Sequence, residues 1–323
     1  MIVFKKTIRS IYSLLILMVV TSCDRTEYFD IEQYEKMIYI VSGTNNVDEE
    51  EFSYSEEENV RYVAFSSSGS KPVGEDVHIE LEPDTELLSK FNKYTFDEDK
   101  EKFAKVLNPD FYRIESYKLT LKKGEYTGLL PVYIKSEVLA SLSPDSIFMI
   151  PLSIKTVSAY KIQEDKKNVL MRIRTRNEFA TTGKTTYYSL KGYRLDTVGT
   201  TYNNVLLTST SKIMLPLSNN EVRIFIANNN VDTDKVTSIN NNALRLKISE
   251  GGKVTIESYA PENKLLEVEQ LSPPSDEPNF PYLNIYDKER ERFMLYYRYR
   301  TRASNSEEWG RWYYLQEDLR RLE

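Results

Sequence analysis

Short runs of alternating apolar and polar positions fill the chain from residue 36 onward. Lys36–Val41, Val60–Phe65, Val77–Leu81, Tyr117–Leu121 and Leu129–Ile134 carry Val, Ile, Tyr or Phe at a period of about two, which is the period of a half-buried strand. Ile147–Ile154 is a continuous apolar run that predicts a buried central strand, and Pro151 within it then needs an edge or a bulge because it has no N–H to donate. One helix is predicted from Asp84 to Phe91, where a capping Asp or Thr precedes apolar residues at helical spacing. Asp97–Leu107 predicts a further helical turn or two, and Ser67–Gly74 is a loop by composition. A polar stretch, Arg176–Lys184, precedes a second strand series: Tyr187–Leu190, Val205–Leu207, Val222–Ile226, Ala243–Ile248 and Lys253–Tyr259. After the turn-rich Ser272–Phe280 come Phe293–Tyr299 and Trp312–Leu315, while Gln316–Glu323 reads as a short helix or frayed tail. Runs spaced by roughly 8–15 residues with few helices predict an all-β protein of sandwich type. Its length of 323 residues suggests two domains, residues 37–176 and 177–323.

The first 22 residues follow a different pattern. Lys5, Lys6 and Arg9 precede an apolar run, Ile11–Val20, which is too short to span a bilayer core and suits the h-region of a signal peptide. It ends in Val20-Thr21-Ser22-Cys23, which resembles a bacterial lipobox. That likeness implies cleavage before Cys23 and acylation of its thiol and new amine, with several acyl chains giving stable anchoring. The chain's only Cys stands at this position. Residues 23–36 then read as the lipidated Cys and a polar tether, whose Asp24, Glu27 and Asp30 resemble the acidic export signals of Bacteroidetes surface lipoproteins. The expected location is the outer membrane, lipid-anchored and exposed at the cell surface.

Composition narrows the chemistry. With one His and one Cys, the chain has no two-histidine metal site, no internal disulfide and no thiol nucleophile beyond Cys23. No cofactor and no metal are expected, and the net charge of −6 argues against a nucleic-acid partner. Charge divides unevenly: residues 24–176 hold 21 basic and 29 acidic residues, net −8, and residues 177–323 hold 19 and 20, net −1. The more neutral half carries both Trp.

Thr85–Lys93 (TELLSKFNK), Asn108–Ser116 (NPDFYRIES), Leu119–Val132 and Phe148–Leu152 (FMIPL) resemble the N-terminal domain of Bacteroidetes surface lipoproteins encoded in polysaccharide-utilisation loci of the starch-utilisation-system type. Tyr187–Asp196 (YYSLKGYRLD), Leu215–Ile226 and Phe293–Arg300 (FMLYYRYR), with Trp309 and Glu317, look like the C-terminal domain of unknown function that commonly follows it. The likeness implies an Ig-like first sandwich and a second domain of sandwich or barrel type, lipocalin-like or jelly-roll-like. It also implies a glycan partner, a neighbouring transporter and a partner glycan-binding lipoprotein. Related first domains precede chitinase-fold glycosidases, but no barrel of about 250 residues fits here.

A glycan site combines a flat aromatic surface with short polar or charged groups. Strand alternation in Phe293–Tyr299 places Phe293, Leu295, Tyr297 and Tyr299 on one face and Met294, Tyr296, Arg298 and Arg300 on the other. With the first face inside, Tyr296, Arg298 and Arg300 face solvent. Trp309 and Trp312, across the loop Thr301–Glu308, are either a binding platform or core plugs. Tyr282 and Tyr286 beside the proline-stiffened Pro273–Pro281 form a second candidate rim. Asp232 and Asp234 invite a calcium reading, but the EF-hand spacing fails and a polar hairpin tip is the simpler account. The acidic runs Asp48–Glu51 and Glu56–Glu58 read as solvated surface turns, and His78 as a strand-face residue. No catalytic residue is assigned. The expected function is non-catalytic capture of oligo- or polysaccharide for uptake. A structural or protein-interaction lipoprotein is the alternative, and a carboxylate-only glycosidase the less favoured one.

Overall fold

The computed structural model describes residues 32, 34–198, 201–229, 231 and 235–322. The leader, Cys23, residues 24–31 of the tether, and Asp232 and Asp234 lie outside the described residues.

The first domain is a two-sheet β-sandwich. Its strands are β1 (Met37–Ile40), β2 (Val47–Ser53), β3 (Glu58–Ser67), β4 (Val77–Pro83), β5 (Lys105–Val106), β6 (Lys118–Leu121), β7 (Thr127–Lys135), β8 (Phe148–Val157), β9 (Lys161–Ile162) and β10 (Asn168–Arg176). One sheet runs β7-β3-β1-β9 and the other β2-β10-β8-β4-β6, with β5 beside β8. Their alternating inward residues, among them Ile38, Phe65, Ile79, Val132 and Ile154, form one core. The helix α1 (Thr85–Phe96) starts where Asp84 accepts a hydrogen bond from the Leu87 N–H at 3.1 Å. It covers the outer face of the second sheet through Leu88, which packs with Met149 and Leu170. A second helix, α2 (Ser136–Ser141), follows β7 directly.

Three expectations are corrected here. Pro151 lies in a central strand without a bulge at its own position: β4 pairs with β8 from Leu152 onward and β5 only with Phe148 and Met149, so Pro151 falls in the gap where no N–H is required. Asp97–Leu107 makes a single 3₁₀ turn, Lys100–Lys102, and then the strand β5. The acidic run Asp48–Glu51 is no turn. It forms most of β2, paired in parallel with the arginine-bearing β10, where Glu49 bridges Arg172 and Arg174 at 3.0 and 2.7 Å and Glu51 bridges Arg176 at 3.1 Å. Burial in that edge pushes the Asp48 and Glu50 carboxyls up from their ordinary values.

The second domain is a near-closed antiparallel barrel. Its strands are β11 (Thr186–Val198), β12 (Thr201–Ser218), β13 (Glu221–Phe225), β14 (Ala243–Ile248), β15 (Val254–Ser258), β16 (Leu266–Gln270), β17 (Ile285–Asp287), β18 (Arg292–Thr301) and β19 (Tyr313–Arg321), with α3 (Val236–Asn242) between β13 and β14. The sheet order is β15-β14-β13-β12-β11-β19-β18-β16, and β17 also pairs β18. A Lys253↔Ile285 bridge brings β15 against β17, with the Tyr286 N–H donating to the Gly252 carbonyl at 2.7 Å. Gly252 has φ +77° and a Cβ there would stand 2.6 Å from that Tyr286 carbonyl oxygen, so the closure requires glycine. Neighbours in the chain are mostly neighbours in the sheet, which is the up-and-down arrangement of a lipocalin-like barrel rather than a jelly roll. The interior is filled by Tyr188, Leu190, Met214, Leu246, Phe293, Tyr297 and Leu319 among others. Gln316–Arg321 continues β19 and is neither helix nor tail, because Leu315, Glu317 and Leu319 alternate into this interior.

A buried ion pair sits inside the barrel. The Lys212 ammonium donates to Glu317 at 2.9 Å and to the Ala227 carbonyl at 3.0 Å, and the Tyr297 hydroxyl donates to the other Glu317 oxygen at 3.1 Å. Lys212 is 7% exposed and Glu317 0%. Burial pushes the Lys212 ammonium down and Glu317 pulls it back, while burial pushes the Tyr297 hydroxyl well up. Opposite Glu317 in the register stands Gly192, where a Cβ would come within 2.0 Å of the Gln316 carbonyl oxygen. Gly192→Ala should therefore lower stability by ~1–3 kcal/mol, the range for overpacking, as read by denaturant unfolding. A variant as stable as the parent would show that β11 and β19 separate there at no cost.

The domains meet around Asn177 and Arg223. Asn177 donates to the carbonyls of Ser218 and Glu221 at 2.7 and 3.0 Å and accepts from the Phe179 and Ala180 N–H groups. Arg223, 3% exposed, reaches from β13 to Asp145 of the first domain.

Candidate functional site

The outer face of β19, β18 and β16 carries three of the candidate residues singled out in the sequence, all on β18. On β18, Phe293, Leu295, Tyr297 and Tyr299 are buried, so Tyr296, Arg298 and Arg300 stand on the outside as expected. On β16 the outward residues are Glu267 and Glu269, which lie in register with Arg300 and Arg298. Arg298 donates through Nε and Nη2 to Glu269 at 2.8 and 2.5 Å, and Arg300 Nε donates to Glu267 at 2.6 Å. These bonds, with one to the Tyr314 hydroxyl, hold the Arg298 guanidinium above its ordinary pKa.

Trp309 and Trp312 are half-buried, and neither belongs to the barrel core. They stand in a cation–π ladder. Arg302 lies 5.2 Å from the Trp309 ring centre, Arg300 lies 5.0 Å from Trp309 and 4.5 Å from Trp312, and Arg298 lies 4.4 Å from Trp312 and 5.8 Å from Tyr314. Register explains the order. Arg298 and Arg300 are two residues apart on one face of β18, and the chain returning into β19 slots Trp312 between them. The ladder fixes both indoles at low conformational freedom, each with N–H donors and carboxylate acceptors beside it.

Tyr296 is also on this face, yet the loop 271–284 covers it. Asn284 donates to the Leu271 carbonyl at 2.8 Å and accepts from the Tyr296 N–H at 2.6 Å, which staples the loop to β18. Phe280 then packs 4.9 Å from the Tyr296 ring and 5.6 Å from Tyr282. Tyr282 is half-buried, its hydroxyl pushed up by burial and by the nearby Asp318 and Tyr193. Tyr286, taken as a rim residue, is instead core: it is 8% exposed and its ring packs edge-on 4.9 Å from Phe179 and tilted 4.6 Å from Phe293. The inward alternation of β17 puts it there. His78 is an exposed strand-face residue beside the Thr120 hydroxyl at 3.0 Å.

Sequence reasoning missed the rest of the outer face. Beyond Tyr296 the register continues through Gln316 and Tyr193 to Leu206, which are exposed by 40% (Tyr193) and 56% (Leu206). One row further lies a cleft of about 580 Å³ lined by Ser189, Lys191, Thr208, Ser209, Thr210, Asp318 and Arg320. Asp318 is held there by a bidentate pair with Arg292 at 2.5 and 2.8 Å. No local pattern marked this surface, because its β11–β12 hairpin is completed by β19, more than a hundred residues further along the chain.

The fold and this surface define a two-domain β protein, a sandwich followed by a near-closed barrel with a rigid aromatic and arginine-rich outer face. Residues 34–161 match a family model described as an N-terminal domain, and residues 167–320 match one described as C-terminal. No curated protein matches the chain. Among solved structures it is similar to a multidomain protein of Bacteroides ovatus (15% identity, 90% of this chain and 94% of the other, TM-score 0.62). It is similar to a second Bacteroides ovatus protein of unknown function (15%, 90% and 94%, TM-score 0.61). An auxiliary nutrient binding protein of Bacteroides thetaiotaomicron is also similar (14%, 87% and 92%, TM-score 0.55). At these identities the likeness is one of fold.

Proposed function

We propose that the chain is a non-catalytic surface lipoprotein, anchored to the outer membrane through Cys23, that holds oligo- or polysaccharide for a neighbouring transporter complex and its partner glycan-binding lipoprotein. The observation that carries this reading is the ladder: two indoles kept out of the core and immobilised between arginines that are themselves bonded to carboxylates. Pyranose rings have apolar CH faces and many hydroxyls, and a rigid surface of this kind offers contact area, donors and acceptors together. A barrel interior filled by side chains favours a ligand on the outside over one in a central cup. The nutrient-binding description of one similar structure agrees with this reading. Affinities in the micromolar to millimolar range, about −4 to −8 kcal/mol, suit capture on a surface where tethered copies act together.

The chain from Asp24 onward, tested against a panel of host and dietary glycans, should retain one class and release no shorter products. Reducing-end products would make it a glycosidase. Failure to retain any class would favour the protein-interaction reading. That alternative has its own support in the outer face of β3 and β7, where Tyr62 is 47% and Leu129 54% exposed.

A further inference from the structure

We propose, resting on the glycan-binding reading, that the captured glycan is acidic and that its carboxylate or sulfate groups are taken by the cleft on the outer face of β12, β11 and β19. The cleft owes its shape to a β-bulge. Tyr188 pairs with Lys212 and Leu190 with Ser209, so two residues of β12, Thr210 and Ser211, face the single Ser189. Bulges bend the strand and re-aim side chains, and this one opens a hydroxyl-lined hollow in an otherwise convex sheet.

Charge gives the hollow its selectivity. On the ladder Arg298 and Arg300 are matched one to one by Glu269 and Glu267, and Arg302 lies against the Trp309 ring, so the guanidiniums of that stretch are engaged by carboxylates or indoles. In the cleft the balance differs. Asp318 is already engaged by Arg292 and also touches Arg320 at 3.4 Å, whereas Lys191, in register with Asp318 and exposed, makes no ion pair among the described residues. Two cations of the lining, Lys191 and Arg320, thus stand over one shared carboxylate, within a chain whose net charge is −6. Threonine and serine hydroxyls beside them supply neutral partners for the sugar's own hydroxyls. Tyr193 and Leu206 lie between the cleft and the ladder, so one extended chain can touch both. From Tyr296 to Arg302 alone β18 advances ~20 Å at ~3.4 Å per residue, which calls for a polymer rather than a monosaccharide.

The test uses the full chain in detergent with two pairs of probes: an oligogalacturonate beside its carboxyl-reduced form, and a heparin-derived oligosaccharide beside its desulfated form. One acidic member should bind at least about tenfold more tightly than its charge-depleted partner, the size of one charge-assisted hydrogen bond. Which pair responds distinguishes carboxylate from sulfate. Lys191→Glu, at an exposed position, should abolish that preference by lowering affinity for the acidic form, while unfolding stays cooperative. Equal binding of charged and charge-depleted forms overturns the acidic-ligand proposal while glycan capture stands. Glycan retention seen only for neutral members of the wider panel does the same. A preference that survives Lys191→Glu places the acid elsewhere and overturns the assignment of the cleft. No retention of any glycan overturns the capture reading as well.

Discussion

Glu317→Ala should destabilise the protein by about 3–5 kcal/mol, the range for breaking a buried ion pair from one side, and in denaturant unfolding it should move the midpoint more than any other single change described above. The substitution leaves the Lys212 ammonium fully buried with one carbonyl partner and leaves the Tyr297 hydroxyl without its acceptor. The deficit should shrink in alkali. Burial already lowers the Lys212 pKa, and losing Glu317 removes what raises it. Between the depressed folded value and the ordinary lysine value the unfolded chain binds more protons, so stability rises with pH across that window. The double variant Lys212→Met with Glu317→Gln removes both charges and keeps an acceptor for Tyr297, and it should recover more than half of the loss. A Glu317→Ala protein as stable as the parent at neutral pH would mean that water or another group reaches Lys212.

Replacing Trp309 and Trp312 together by alanine should weaken glycan retention by at least about thirtyfold, the equivalent of a 2 kcal/mol hot spot. The fold should survive. Four guanidinium contacts are lost, at ~0.5–1 kcal/mol each for exposed sites, so stability falls by only about 2–4 kcal/mol. Retention and unfolding, measured on the same preparation, separate the roles. Lost retention with a cooperative fold supports the platform. Unchanged retention would leave the ladder as a structural brace, and collapse of the barrel would show that these indoles hold it together although they lie outside the core.

Much of the strand pattern was legible because alternation is a local signal. Phe293–Tyr299 illustrates this: its inward set and the outward Tyr296, Arg298 and Arg300 follow from the period of two, and only Met294 of the expected outward set is buried. Asp84 as a helix cap was equally local. The misses have one cause in common, a partner distant in sequence. Four acidic residues at Asp48–Glu51 look like a solvated turn until β10 supplies Arg172, Arg174 and Arg176 across a gap of more than 120 residues. Gln316–Arg321 looks like a tail because Glu317 and Asp318 are polar, yet Lys212 and Arg292 take them into the sheet. Tyr286 looks like a loop aromatic until Phe179, more than a hundred residues earlier, packs against its ring.

The sequence by itself determined the β class, the two-part organisation, the exclusion of histidine- and thiol-based chemistry, and the outward set Tyr296, Arg298 and Arg300. These depend on composition and on nearest neighbours along a strand. Only the tertiary structure decided that the second domain nearly closes on itself and is filled. It also decided that Trp309 and Trp312 stand outside the core between arginines, and that a cationic cleft opens at the Ser189 bulge. Each of these depends on which strands come to lie side by side, and that is set by register and closure between segments up to about 130 residues apart, to which the local period of two is blind.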